Sequence, residues 1–230
     1  MQHVGYPREA VRVGRVCLQD SLWSPRIETN RSVTVRYCLQ RCAESGHLGN
    51  FAKAAGRAAG GFEGEHCYID SDVYKIIEGA AYILEGGCDE DLWRSVDVLI
   101  EDIVNAQEND GYLYTGRTID PTSPGPGAGP ERWAWLHRGS HDSTWQGTCT
   151  RRPWPSSKPR VTAGCSTQRS GLMGMRTFWI APSGGTAGAT CLGTRTEVEL
   201  GLARLCRATG DGRYLRLARY WGPTAALGAL

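Results

Sequence analysis

"SDVYKIIEGAAYILEGGCDEDLWRSVDVLIEDIVNAQ", residues 71–107, decides the fold. Val73, Ile76–Ile77, Ala80 and Ile83–Leu84 recur at three- and four-residue steps, so they line one face of a helix rather than alternate across a strand. Gly86-Gly87 ends that helix, and either Asp70 or Ser71 can cap its start, because a short oxygen side chain satisfies the orphan amides of a first turn. A second helix follows from Asp89 to about Gln107, with Leu92, Val96, Leu99–Ile100 and Ile103 on one side. Acids crowd its first turn, where the helix dipole favours them. Two amphipathic helices joined by so short a turn form a hairpin that needs further helical layers against its apolar faces.

Outward from this hairpin the pattern stays helical. Thr29–Ser45 carries Val33, Tyr37 and Gln40–Arg41 at helical spacing, with Gly46 as a stop. Before it, "VRVGRVCLQDSLWSPRIE" (11–28) begins with strand-like alternation that Ser24-Pro25 interrupts, giving a short N-terminal β segment. After it, "NDGYLYTG" (109–116) turns and runs briefly extended, and "PTSPGPGAGP" (121–130) is a proline-broken surface loop. Near the other end, Val198, Leu202 and Leu205 mark a helix that Gly210 closes; Asp211 opens another with Tyr214, Leu217 and Ala218.

The stretch from His141 to Arg195 breaks the pattern. "HDSTWQGTCTRRPWPSSKPR" (141–160) is rich in Arg, Pro, Trp and Ser and has no period. Its codons offer an explanation. Read one nucleotide out of frame, the junction of Trp145 and Gln146 must encode alanine, and so must Trp154-Pro155. TCN codons at Ser156 and Ser157 give only Phe, Leu, Ile or Val. Permissible codons turn the whole stretch into "HELYVAGHLYEAAVAFFEATG", an amphipathic helix in the style of "LARLCRATGD" downstream. Residues 142–195 are therefore expected to be an aberrant, irregular segment made by a one-nucleotide loss near Asp142. The alternative, a genuine basic loop of some fifty residues inside a compact domain, is unusual.

Composition excludes several classes. A net charge of +2 over 230 residues is too near neutral for a nucleic-acid surface. No apolar run is long enough to span a membrane, and the start has no signal-peptide pattern, so a soluble, cytoplasmic protein is expected. The nine cysteines include no C-x2-C pair, and Cys38 and Cys42, four apart on a helix, read as half-buried thiols.

"NFAKAAG" (50–56), "GFEGEHCYIDSDVYKIIEGAAYIL" (61–84), "AQENDGYLYT" (106–115), the out-of-frame "HELY" helix and "EVELGLARLCRATGDGRYLRLARY" (197–220) together resemble glycoside hydrolase family 127, the β-L-arabinofuranosidase family. The most specific feature is "DSDVYK-x2-E" at 70–78 paired with "AQ-x2-DGYL" at 106–113. The likeness spans residues 10–140 and 196–221. It implies a mainly α fold, an incomplete (α/α)6 barrel, with residues 1–230 as the N-terminal part of one glycosidase catalytic domain. It implies an arabinofuranoside-containing glycan as substrate, with no nucleic acid or membrane partner.

The resemblance also implies a zinc-bound cysteine nucleophile and a glutamate acid/base in the complete enzyme. These belong to a part of the barrel beyond Leu230, so no catalytic residue, metal ligand or cofactor is carried over to this chain. What is carried over is the histidine of "HELY", a sugar-hydroxyl ligand, which falls on His141. A second family histidine, in "GH-x-E", is replaced here by Thr194-Arg195.

Among the residues themselves, Asp70, Asp72 and Glu78 form the dense acid cluster beside aromatics. A retaining glycosidase needs two carboxyl groups about 5–5.5 Å apart, but Asp72 and Glu78 do not share a helix face. Asp72 is a substrate-binding candidate at a helix start. Tyr68, Tyr74 and Tyr112 are rings that can stack on sugars, with Tyr74 closer to the apolar stripe. His47 and His66 are read as solvated loop residues. Two other readings stay open: another helical-toroid glycosidase or polysaccharide lyase, and a non-catalytic helical-hairpin scaffold. An incomplete barrel is further expected to leave apolar faces exposed and to bury Ile76, Ile77, Leu99, Ile100, Leu202 and Leu205.

Overall fold

A computed structural model describes residues 11, 15–108, 112–127, 203, 206 and 210–221. Helices dominate: α1 (Trp23–Thr29), a π turn (Asn30–Thr34), α2 (Val35–Glu44), α3 (His47–Ala54), α4 (Ile69–Gly86), α5 (Glu90–Ala106), the single turn α6 (Thr115–Thr118) and α7 (Gly212–Trp221). No strand occurs among the described residues. The N-terminal β segment is thus corrected over its described part: Val16–Gln19 is irregular, and Pro25 sits inside the first turn of α1. Proline is at home there, where a backbone N–H has no helical acceptor. Asp20 supplies the start, since its Oδ1 accepts from the Leu22 amide at 2.8 Å and also from that of Trp23.

The hairpin at 69–106 forms as its pattern dictates. Asp89 is the N-cap of α5 and accepts from the Leu92 amide at 3.0 Å, with Glu90 and Asp91 in the first turn. Val73, Ala80, Val96 and Ile103 are fully buried, and Ile77, Leu84, Leu92, Leu99 and Ile100 nearly so. Ile76 is only partly buried, packed at the edge of this core. Leu202 and Leu205, together with all of 142–195, lie outside the described residues. Burying side chains of this size is worth about 1.5–3 kcal/mol each, and that outweighs the hairpin's modest propensity terms.

α3 is an element the periodicity does not reveal. Gly46, at φ 79°, ends α2 and leads directly into it. His47 is therefore half-buried at a helix start, with Nδ1 buried and unpartnered, rather than solvated in a loop. Phe51 from α3 meets Tyr74 from α4 edge-on at 5.6 Å, joining the two layers.

The π turn aligns two arginines on the α4–α5 connection. Its wide turn, closed by the Val35 amide on the Asn30 carbonyl, suits residues five apart. Arg36 grips both oxygens of Asp89 at 2.9 and 2.7 Å. The Arg31 guanidinium lies against Gly87, where a Cβ would stand 3.4 Å from its Nη1. Burial alone would raise the Asp89 carboxyl; the Leu92 amide, the Arg36 hydrogen bond and the charges of Arg36 and Arg31 outweigh it and hold it below its ordinary value.

A depressed carboxyl stabilises the fold fully above its unfolded pKa, about 3.9, and that contribution is lost as pH falls through the lowered value. Asp89→Ala removes cap and clasp together and is expected to cost about 0.5–2 kcal/mol at neutral pH. In urea melts the difference from wild type should shrink as the pH is taken below the carboxylate range. A difference independent of pH would contradict the clasp.

The apolar-face expectation is also met. Val11, Val16, Leu18, Leu22, Trp23, Ile27, Val33 and Tyr37 are eight of the eleven exposed large hydrophobic residues among those described. Neither α1 nor the π turn buries a side chain. The first helical segment thus leaves its apolar side chains open to solvent.

Candidate functional site

The chemistry-bearing residues gather where α4 begins. Three segments meet there: the glycine-rich loop 56–68, the first turn of α4, and 112–127. Asn50, fully buried on α3, holds the loop through a reciprocal pair: its Nδ2 donates to the Glu63 carbonyl at 2.7 Å, and its Oδ1 accepts from the Glu63 amide at 2.9 Å. Lys53 donates to the Gly61 carbonyl at 3.0 Å and pairs with the Glu63 carboxylate. Loop 124–127 then packs on the first loop at its two glycines. A Cβ at Gly125 would stand 2.8 Å from the Phe62 ring, and one at Gly127 would stand 2.6 Å from Cys67.

Asp70 has a different role from the expected cap. The N-cap of α4 is Tyr68 and makes no side-chain cap bond. Asp70 is fully buried and reaches across to Thr115, accepting from its amide at 3.0 Å and from its hydroxyl at 2.6 Å. The acid of "DSD" is thereby joined to the threonine that follows "GYLY", so two motifs far apart in the chain are one physical unit. Ser71 also turns inward, its hydroxyl donating to the Tyr68 carbonyl at 2.7 Å.

The remaining candidates separate by burial. Tyr74 and Tyr112, each 2 % exposed, belong to the core, and Tyr112 is corrected as a sugar-stacking ring. Tyr68 stays exposed and lies parallel to His66. Asp72 is partly exposed on the first turn of α4 and pairs with Lys75 at 3.3 Å. His141 lies outside the described residues.

Cys42 lies on the buried face of α2. Burial, the negative charge of Asp72 and the neighbouring Cys38 push its thiol up to about 11, so the reactive thiolate is scarce at neutral pH. Among the described residues no three His, Cys, Asp or Glu side chains converge as metal ligands. The zinc of the resemblance has no fitting ligand set in them. No described helix is long and apolar enough to cross a membrane.

This arrangement can bind and orient a polyhydroxylated ligand through exposed rings and carboxylates, while its buried acid serves the architecture. Residues 15–146, more than half of the chain, match the family model for the β-L-arabinofuranosidase GH127 catalytic domain. The non-reducing end β-L-arabinofuranosidase of Bifidobacterium longum subsp. longum is 30% identical over 188 residues, covering 77% of this chain and 26% of that enzyme. A solved GH127 β-arabinofuranosidase superposes with a TM-score of 0.67 at 27% identity, over 92% of this chain and 33% of the other. The GH127 β-L-arabinofuranosidase from Geobacillus stearothermophilus T6 gives a TM-score of 0.67 at 29% identity, over 89% of this chain and 32% of its own. These neighbours have the (α/α)6 barrel, and the chain spans about a quarter to a third of their length. By fold and by sequence, this chain belongs to glycoside hydrolase family 127.

Proposed function

We propose that residues 1–230 form the N-terminal part of a single (α/α)6-barrel catalytic domain, and that the complete domain hydrolyses non-reducing-end β-L-arabinofuranosides. The match of residues 15–146 to the family's catalytic domain carries this reading. The Asp70–Thr115 junction supports it, because it ties together the two motifs on which the family likeness rests.

In this division of labour the chain positions substrate. His141 and Asp72 contact sugar hydroxyls, and the reacting groups with their zinc come from further along the family's barrel. Segment 142–195 is the product of a shifted reading frame, and its restored form is the helix that presents His141.

The test is arabinose release by a frame-restored enzyme extended to the length of its relatives. Release from a β-L-arabinofuranosyl substrate is expected, with little from the α-linked isomer. Cleavage of a uronate polysaccharide with formation of an unsaturated product would instead support the lyase reading. No activity on any glycan would support a scaffold.

A further inference from the structure

At the loop end of the hairpin, the packing leaves one aromatic pair among the described residues in solvent. The rings of His66 and Tyr68 lie parallel, centroids 5.0 Å apart and planes 8° from coincidence. Tyr68 is 41% exposed, whereas Tyr74, Tyr112 and Tyr114 are each 2% exposed or less. Buried rings remove apolar area from water; this pair keeps much of its ring surface in solvent.

The backbone that carries the pair is held from several sides. The Tyr68 carbonyl accepts from both the hydroxyl and the amide of Ser71, at 2.7 and 3.0 Å. Cys67, between the two rings in sequence, is pressed against Gly127. Gly64, at φ 125°, has the Ile69 side chain where a Cβ would stand, only 2.6 Å away. Rings already stacked and held in this way lose little freedom when a ligand covers them. Polar groups on the neighbouring stretches stay in solvent: the side chains of Glu63, Asp72 and Lys75 are 59%, 41% and 56% exposed. The Asp72–Lys75 pair is a surface one of little worth, so Asp72 is free to accept from a ligand hydroxyl.

An exposed flat ring surface, with exposed carboxylates on the stretches beside it in sequence, is what a sugar recognises. Its C–H face stacks on the ring, and its hydroxyls donate to the carboxylate oxygens. We propose that the His66–Tyr68 stack is a glycan-binding platform that takes one arabinofuranosyl unit, with Asp72 accepting from its hydroxyls. This rests on the carbohydrate reading above and adds a contact residue pair to it.

The experiment is an NMR titration of the 230-residue protein with methyl β-L-arabinofuranoside, watching the ring resonances of His66 and Tyr68. Both sets are expected to move together and saturate. Tyr68→Ala, with an unchanged circular dichroism spectrum, should weaken binding roughly tenfold, the scale of one lost ring contact, and Tyr68→Phe should retain it. Silent rings alongside shifts elsewhere would overturn the platform and leave the carbohydrate reading standing. So would equal affinity in Tyr68→Ala, and no shift anywhere would overturn the platform as well. Rings that respond to methyl β-D-xylopyranoside but not to the arabinofuranoside would overturn the arabinofuranosyl assignment while keeping a glycan site.

Discussion

Asp70→Ala is expected to destabilise the fold by about 2–4 kcal/mol, a large share of the roughly 5–15 kcal/mol available to a domain. The carboxylate is fully buried and accepts two hydrogen bonds from Thr115. A bond to a charged acceptor is worth about 1.5–3 kcal/mol, and the variant strands both the amide and the hydroxyl. Part of the loss is recovered because a carboxylate no longer has to be desolvated. Thr115→Val removes the hydroxyl bond alone and keeps the shape, so it should cost about half as much. Denaturant midpoints should fall in that order with an unchanged slope. Both variants within about 0.5 kcal/mol of wild type would contradict the junction. Asp72→Ala, on the next turn position but partly exposed, is expected to stay near wild type in the same experiment.

Helices α4 and α5 were legible because their apolar residues repeat at helical spacing over four or more turns and their ends carry Asp89 and Gly86-Gly87. α3 was not. It has eight residues, includes Gly49, and gets its helicity from Phe51 and Asn50 packing inward rather than from a long stripe. The described part of the N-terminal segment, Val16–Gln19, is irregular for a different reason. Alternation in "VRVGRV" suggests a strand, but nothing among the described residues pairs with it, and Asp20 gathers the amides of a helix instead. Asp70 has the composition of a cap, and only its partner at Thr115 reveals that it is a long-range tie. Tyr112 has the look of a sugar-stacking ring from its neighbours in sequence, yet its burial is decided by the hairpin folded over it. The family likeness was legible because "DSDVYK" and "AQENDGYLYT" are distinctive as a pair, and the Asp70–Thr115 junction joins the two stretches in space.

The largest effect concerns catalysis. In the family resemblance the nucleophile is a thiolate on zinc, and without it the anomeric carbon has no partner for a covalent intermediate. Burial and the charge of Asp72 push the Cys42 thiol up to about 11, so it is held protonated at neutral pH. Where the nucleophile and acid/base implied by the resemblance are both missing, nearly all of a rate enhancement of ~10⁶-fold or more should be lost. The contribution we propose for this chain is position, through His141, Asp72 and the ring pair at the start of α4. The account therefore predicts that the purified 230-residue protein, assayed with a β-L-arabinofuranosyl substrate and analysed for zinc, holds no stoichiometric metal and releases no arabinose above background. Turnover by this chain that His141→Ala abolishes would contradict it, and would place the chemistry among residues assigned here to binding and architecture.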